Sequence, residues 1–119
     1  MVWDPKRIRP QSWADVAEFY RRIGERNDEF RPMEALATHI AAQPYAASLQ
    51  AATSGTALLV ARQGVTQWVE EGLRLDVDFV GGIRFVREGA RPGKPETFRS
   101  EPEGIVDAFE RFLARAGWG

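Results

Sequence analysis

Three ionisable side chains in this 119-residue chain have the type and spacing to support catalysis: His39, Asp76 and Asp78. Because His39 is the only histidine, a metal site with two histidines is excluded and a single imidazole base remains. The two aspartates stand two apart in a predicted strand, so both carboxylates should leave one sheet face roughly 6–7 Å apart. Such a pair can hold a divalent cation, or act as acid and base where two environments separate their pKa values.

The same residues also fit a solvated surface, and we favour this interpretation. Arg74 and Arg84 lie near the aspartates in the predicted sheet, and ion pairs between neighbouring strands would explain the pattern. His39 falls at the border of an apolar helical stripe, where a histidine ordinarily packs its ring and solvates its tip. We therefore assign no catalytic residue.

Motifs that bind cofactors or activate nucleophiles do not occur in this sequence. It contains no cysteine, which excludes disulfides, thiolate nucleophiles and cysteine-based zinc sites. The glycine-containing segments 81–82 and 89–94 match neither G-x-x-x-x-G-K-S/T nor G-x-G-x-x-G, so they are interpreted as turns. No serine stands in a G-x-S-x-G elbow. The sequence predicts no cofactor and no metal.

Three of the four tryptophans are candidates for binding a partner, because tryptophan is enriched in interface hot spots. Trp13 falls on an apolar helical stripe and is predicted to lie in the core. Trp3 and Trp118 lie near the two termini, where an exposed indole would mark either an interface or a contact that docks the terminus on the body of the domain. Trp68 would lie inside the sheet or stack over Arg74 outside it, depending on a strand register that the sequence leaves open.

Charge and hydropathy limit the partners to be expected. The net charge is −1, and the short basic segment at Lys6, Arg7 and Arg9 is too small to make nucleic acid the expected partner. No stretch approaches the roughly 18 apolar residues of a membrane helix, and the N-terminus lacks the order of a signal peptide. We expect a cytoplasmic protein with another protein as partner. Monomer and homodimer both remain open.

The length and a hydrophobic content of 44% predict a single α+β domain, with residues 1–11 as an extended arm. Ser12 and Asp15 form a capping box for a first helix, and Pro32 opens a second. The alanine-rich segment 45–52 is predicted to form a third short helix. Ser100 and Glu103 form a second capping box before a strongly amphipathic closing helix.

Between these helices the apolar residues change to a period of two, which predicts an antiparallel meander with one polar face. The closing helix should pack on the apolar face. The core is predicted to include Leu73, Leu75, Val77, Phe79, Ile83, Phe85, Phe109, Phe112 and Leu113. Segment 89–95 is predicted to be a loop. The four strands are predicted at 57–62, 65–70, 73–79 and 83–87, with an optional short fifth at 96–99.

The charge pattern also predicts a register for the third and fourth strands. A three-residue loop, 80–82, places Phe79 opposite Ile83 and Asp78 opposite Arg84, which keeps each face of the sheet uniform. A two-residue loop would mix the faces. The register of the strands around Trp68 and Leu75 is not determined by this argument.

Two functions follow as hypotheses. The first is a non-enzymatic protein-binding module, such as an adaptor, inhibitor or immunity-type protein, that acts through its polar sheet face or its terminal tryptophans. Its candidate contacts are Arg74, Asp76, Asp78, Arg84, Trp68, Trp3 and Trp118. The alternative is a small enzyme or ligand-binding protein with a cavity between sheet and helices, using Asp76, Asp78 and His39.

Overall fold

The computed structural model describes residues 8–78, 81–91 and 94–118. These residues form α-helices and one antiparallel sheet in which the strands follow chain order from edge to edge. The fold is therefore α+β, as predicted. The helices are α1 (Trp13–Gly24), α2 (Arg31–Ala41), α3 (Trp68–Glu71) and α4 (Ile105–Ala116). The strands are β1 (Leu49–Ser54), β2 (Ala57–Arg62), β3 (Leu73–Val77), β4 (Ile83–Arg91) and β5 (Lys94–Ser100).

The long helices begin and end close to the residues that predict their limits. Ser12 accepts a hydrogen bond from the backbone N–H of Asp15 at 3.0 Å, which satisfies a free donor of the first turn of α1. Pro32 lies in the first turn of α2, where its missing N–H costs nothing. Gly117 ends α4 in the left-handed conformation, with φ at 72°.

The capping box predicted for the closing helix is wrong. The Ser100 hydroxyl donates to the carbonyl oxygen of Glu101 at 2.6 Å, and no side chain caps α4. A 3₁₀ turn over Pro102–Gly104 follows, so α4 begins only at Ile105. Ser100 is the last residue of β5, and its place in the sheet prevents it from serving as the helix cap.

The predicted core is confirmed for the residues that the structure describes. It lies between the helices and one face of the sheet, and α4 packs on that face. Val77 is half-buried, and Phe79 lies outside the described residues. The buried members are Leu73, Leu75, Ile83, Phe85, Phe109, Phe112 and Leu113.

The helix predicted over 45–52 is wrong. A 3₁₀ turn at Pro44–Ser48 leads directly into β1. Ala51 lies opposite Val60 and Ala52 opposite Leu59, both alanines being buried in the sheet. Alanine favours helices on propensity alone, but pairing with the apolar strand β2 overrides that preference here.

The strand predicted over 65–70 is also wrong, and the short helix α3 takes its place. β2 pairs directly with β3, and Leu58 lies opposite Leu75. Because Trp68 lies in a helix, the register between a strand around Trp68 and the strand around Leu75, which the sequence left open, does not arise. Trp68 is 3% exposed and packs on Leu59 and Ala61. A strand at this position would need a neighbour in the sheet, whereas a helix lets one large ring cover the face of β2.

The loop predicted over 89–95 is replaced by an extension of two strands. β4 runs to Arg91 and β5 begins at Lys94, with an irregular register between Arg87 and Arg91. Gly89 has φ at 84°, and a β-carbon there would collide with the carbonyl oxygen of Glu70. This glycine lets β4 pass close beneath α3.

The predicted register of β3 and β4 is wrong by two residues. Val77 lies opposite Ile83, and Asp76, not Asp78, lies opposite Arg84. A shift of two keeps each side chain on its own face, so alternation cannot detect it. Asp78 closes the turn instead, because its backbone N–H donates to the Gly82 carbonyl at 3.0 Å and its Oδ1 accepts from the Gly82 N–H at 3.1 Å.

Candidate functional site

Asp76 is the centre of an ion-pair cluster on the face of the sheet opposite the main core. Its carboxylate lies 3.2 Å from Nε of Arg74 in the same strand and 3.3 Å from Nε of Arg84 in β4. The side chains of Asp76 and Arg74 are 15% and 21% exposed, whereas Arg84 is 49% exposed. Two guanidinium groups therefore share one mostly buried carboxylate.

Asp78 binds a third arginine at the end of the same face. Its Oδ2 lies 2.5 Å from Nη2 of Arg99 in β5, and the Arg99 side chain is 52% exposed. Arg99 also lies directly opposite Arg84 in the register of β4 and β5. Arg99 was not among the candidate contacts predicted from the sequence, because the register of the optional fifth strand was unknown.

These five residues, Arg74, Asp76, Asp78, Arg84 and Arg99, form what we call the polar sheet face. It carries three guanidinium groups and two carboxylates, and Arg84 and Arg99 lie side by side with about half of each side chain in solvent. Like charges directly opposite each other in a sheet are destabilising. Each of these two arginines is held by a different aspartate, which offsets that repulsion.

An apolar cluster occupies the other end of this side of the sheet. Trp68 of α3 packs with Ala52, Leu59 and Ala61, all of them buried. Leu59 lies opposite Arg74, so the apolar cluster adjoins the polar sheet face directly. Trp68 thus covers a small second core and has little surface of its own.

The tryptophans near the termini occupy different places. Trp118 is 5% exposed and packs edge-to-face on Phe112, with ring centroids 5.0 Å apart. Trp13 is 8% exposed in the main core, as predicted. Trp3 lies outside the described residues. Among the described tryptophans, burial leaves little indole surface for a partner.

His39 has a partner that the sequence pattern does not reveal, Glu110 of α4. Its Nε2 lies 2.8 Å from Oε2 of Glu110 in α4, and the Tyr45 hydroxyl donates to the same oxygen at 2.8 Å. The pKa of the Glu110 carboxyl is lowered, mainly by the hydrogen bond with His39 and to a smaller extent by the hydrogen bond from Tyr45. The pKa of Tyr45 is raised, mainly by burial and to a smaller extent by the hydrogen bond to Glu110.

The residues of the alternative hypothesis do not converge. Asp76 and Asp78 belong to the polar sheet face, whereas His39 lies in the helical layer with Glu110. The two aspartates are also held by different arginines. Within residues 8–78, 81–91 and 94–118, no three His, Asp or Glu side chains gather as a metal site would require.

Comparison with models of protein families, with curated proteins and with solved structures found no match to this chain. Among the described helices, none combines the length and the apolar character needed to cross a bilayer.

Proposed function

We propose that this chain is a non-enzymatic module that binds another protein through the polar sheet face. The observation that carries the proposal is the pair formed by Arg84 and Arg99, two half-exposed arginines opposite each other on neighbouring strands. A purely structural surface gains nothing from placing like charges together. A partner with carboxylates at this position would relieve the repulsion and bind both guanidinium groups.

The aspartates make the arginines a rigid surface for such a partner. Asp76 and Asp78 each hold one of them, so less side-chain entropy is lost when a partner binds. Arginine is also the cation best suited to interfaces, because its planar group pairs with carboxylates through two hydrogen bonds. The two carboxylates disfavour a polyanion such as nucleic acid and favour a protein with acidic and basic groups in alternation.

The neighbouring side chains suit a flat protein surface. Val86 and Thr97 lie opposite each other on β4 and β5, two residues from the pair formed by Arg84 and Arg99. Val86 also lies opposite Arg74. Val86 is half-buried and Thr97 is exposed, and both side chains are shorter than those of the neighbouring arginines. Flat surfaces with fixed charges are typical of standard-size protein interfaces rather than of enzyme clefts.

The test is a comparison of two double variants in affinity capture from an extract of the source cells. Arg84→Gln with Arg99→Gln removes both charges of the pair, while Arg22→Gln with Arg111→Gln removes two arginines from exposed helical ion pairs. We expect the first variant to recover the wild-type partner at least about tenfold less well, a loss of about 1.4 kcal/mol. The control should recover it unchanged, and higher salt should weaken the wild-type complex.

Both variants must first be shown to keep the fold by circular dichroism and thermal melting. If the folded Arg84→Gln, Arg99→Gln variant recovers the same partner as the wild type with equal yield, the polar sheet face is not the docking surface. A loss of equal size in both double variants would likewise contradict a specific role for this face.

A further inference from the structure

A shallow cleft of about 460 Å³ lies in the helical layer, beside Glu110. It opens between the 3₁₀ turn that carries Tyr45 and the C-terminal half of α4. Because it belongs to the helical layer, it is a separate feature from the polar sheet face. Its lining residues are Tyr45, Glu110, Leu113, Ala114, Gly117 and Trp118.

The charged group of this cleft is a carboxylate with one unused oxygen. Both hydrogen bonds to Glu110, from His39 and from Tyr45, end on Oε2. Within the part of the chain that the structure describes, Oε1 accepts no hydrogen bond. The side chain of Glu110 is 41% exposed, so solvent reaches this side chain at the cleft.

The end of α4 adds a second source of negative potential. Trp118 donates its backbone N–H to the carbonyl oxygen of Leu113 at 3.0 Å, and Gly117 ends the helix. The remaining carbonyl groups of the last turn have no partner within the helix, and the helix dipole is negative at this end. Both Glu110 and the helix terminus therefore favour a cation at the cleft.

The other walls suit an apolar stem attached to that cation. Tyr45 provides aromatic surface and Ala114 provides aliphatic surface, whereas Leu113 and Trp118 also line the cleft but are each only 5% exposed. A lysine-like stem can lie on such surface while its ammonium group reaches a carboxylate. Aromatic rings near an ammonium group add an attraction of their own.

We propose that this cleft binds an alkylammonium group, with Glu110 Oε1 as its counter-ion and with Tyr45 and Ala114 along its stem. His39 and Tyr45 act as positioning residues, because they hold the carboxylate by its other oxygen. The two arginines of α4 have other partners: Arg111 is paired with Asp107 at 2.9 Å and Arg115 with Glu96 at 2.6 Å. The group can come from a free amine or from a lysine of a partner.

The first experiment titrates the ¹⁵N-labelled protein with n-butylammonium chloride and, separately, with n-pentanol at equal ionic strength. We expect saturable shifts of the Trp118 indole and of the Ala114 and Gly117 amides with the ammonium. The dissociation constant should be on the order of millimolar, since the ligand has few atoms. The alcohol should bind at least about fivefold more weakly, because it lacks the charge.

Variants separate the carboxylate from the shape of the cleft. Glu110→Gln keeps an acceptor for His39 and Tyr45 and should weaken butylammonium binding at least about fivefold. Glu18→Gln removes an exposed carboxylate from α1 and should leave the affinity unchanged. Ala114→Gln narrows the cleft without altering Glu110, and it should weaken binding to a similar degree even if Glu110→Gln fails to fold.

A second titration distinguishes the two sources of the group. An acetyl-Gly-Lys-Gly-amide peptide is compared with the same peptide carrying acetylated lysine. If the unmodified peptide binds and the acetylated peptide does not, the cleft is assigned to a lysine of a partner. If butylammonium binds and neither peptide does, the cleft is assigned to a free amine. The proposal is overturned if neither butylammonium nor the lysine peptide gives saturable shifts. It is also overturned if the wild type binds pentanol as tightly as butylammonium, or if the folded Glu110→Gln variant binds butylammonium as tightly as the wild type does.

Discussion

The two faces of the sheet are covered in different ways. The face under α1, α2 and α4 is mainly apolar, and Phe85 and Phe109 there are 0% exposed. The opposite face is divided between the apolar cluster under Trp68 and the polar sheet face around Asp76. Burial of apolar area stabilises the first face, whereas the second depends on the matching of charges.

This contrast separates the parts of the molecule that hold the fold from the part available to a partner. The core residues of the first face touch other buried side chains and have almost no exposed surface. On the second face, Arg84 and Arg99 are half-exposed and contribute little to stability. Substitutions on the two faces should therefore differ in size by several kcal/mol, and that difference can be measured.

The largest effect is expected from Phe109→Ala, which empties a fully buried site where α4 packs on the sheet. We expect a loss of about 3–5 kcal/mol in the free energy of unfolding, measured by urea denaturation. Phe19→Ala, at a half-buried position of α1, is the control and should cost less. A loss below about 1 kcal/mol for Phe109→Ala would mean that α4 does not pack as described.

The next largest effect is expected from Trp68→Ala, which removes the ring that covers Ala52, Leu59 and Ala61. Because this cluster is small, we expect a loss of about 3 kcal/mol, near the lower limit for a buried aromatic residue. Hydrogen exchange should increase in β2 and at its neighbours more than in α4. If protection in β2 is unchanged, the second face needs no apolar cover at this position.

A smaller effect is expected from Asp76→Asn, which leaves Arg74 and Arg84 without their shared counter-charge. Because Arg74 is mostly buried, the loss should be about 1–3 kcal/mol by urea denaturation. The matched control is Asp107→Asn, since its pair with Arg111 is exposed on both sides. That control should cost less than about 1 kcal/mol. Equal losses in the two variants would show that burial does not strengthen the Asp76 cluster.

The smallest effect concerns pH and Glu110, whose pKa is lowered in the folded protein by His39 and Tyr45. A carboxylate with a lowered pKa contributes stability above its unfolded pKa of about 4.3, and loses it as the pH falls through the folded value. Because Glu110 is well exposed, Glu110→Gln should cost less than about 1 kcal/mol at pH 6. The difference between variant and wild type should shrink as the pH falls below the unfolded pKa in urea melts; a difference that grows on acidification would contradict it.

The long helices α1, α2 and α4 were predictable, apart from the N-terminal cap of α4, because their signals are local. Ser12 begins α1 and Gly117 ends α4 through contacts within a few residues. The apolar stripe of α4 lies within one continuous segment. The segments 45–52 and 65–70 were predicted incorrectly because their structure depends on distant partners. Alanines in the first pair with β2, and Trp68 in the second is drawn onto Leu59.

The candidate site was predictable only in part, for the same reason. Asp76 and Arg84 were assigned correctly to one face, because a period of two places them there. Arg99 was missed because it reaches the cluster through the pairing of β5. Glu110 and Tyr45 were missed because they meet His39 only when α2 and α4 pack together.

Alternation of apolar and charged residues was enough to determine that β3 and β4 each have one buried and one polar face. It could not determine which aspartate meets Arg84, since a shift of two residues leaves both faces unchanged. The tertiary structure decided this when Asp78 closed the turn onto Gly82 and bound Arg99 on the next strand. Those contacts join residues whose proximity depends on the turn and on the sheet, and periodicity along a single strand carries no information about either.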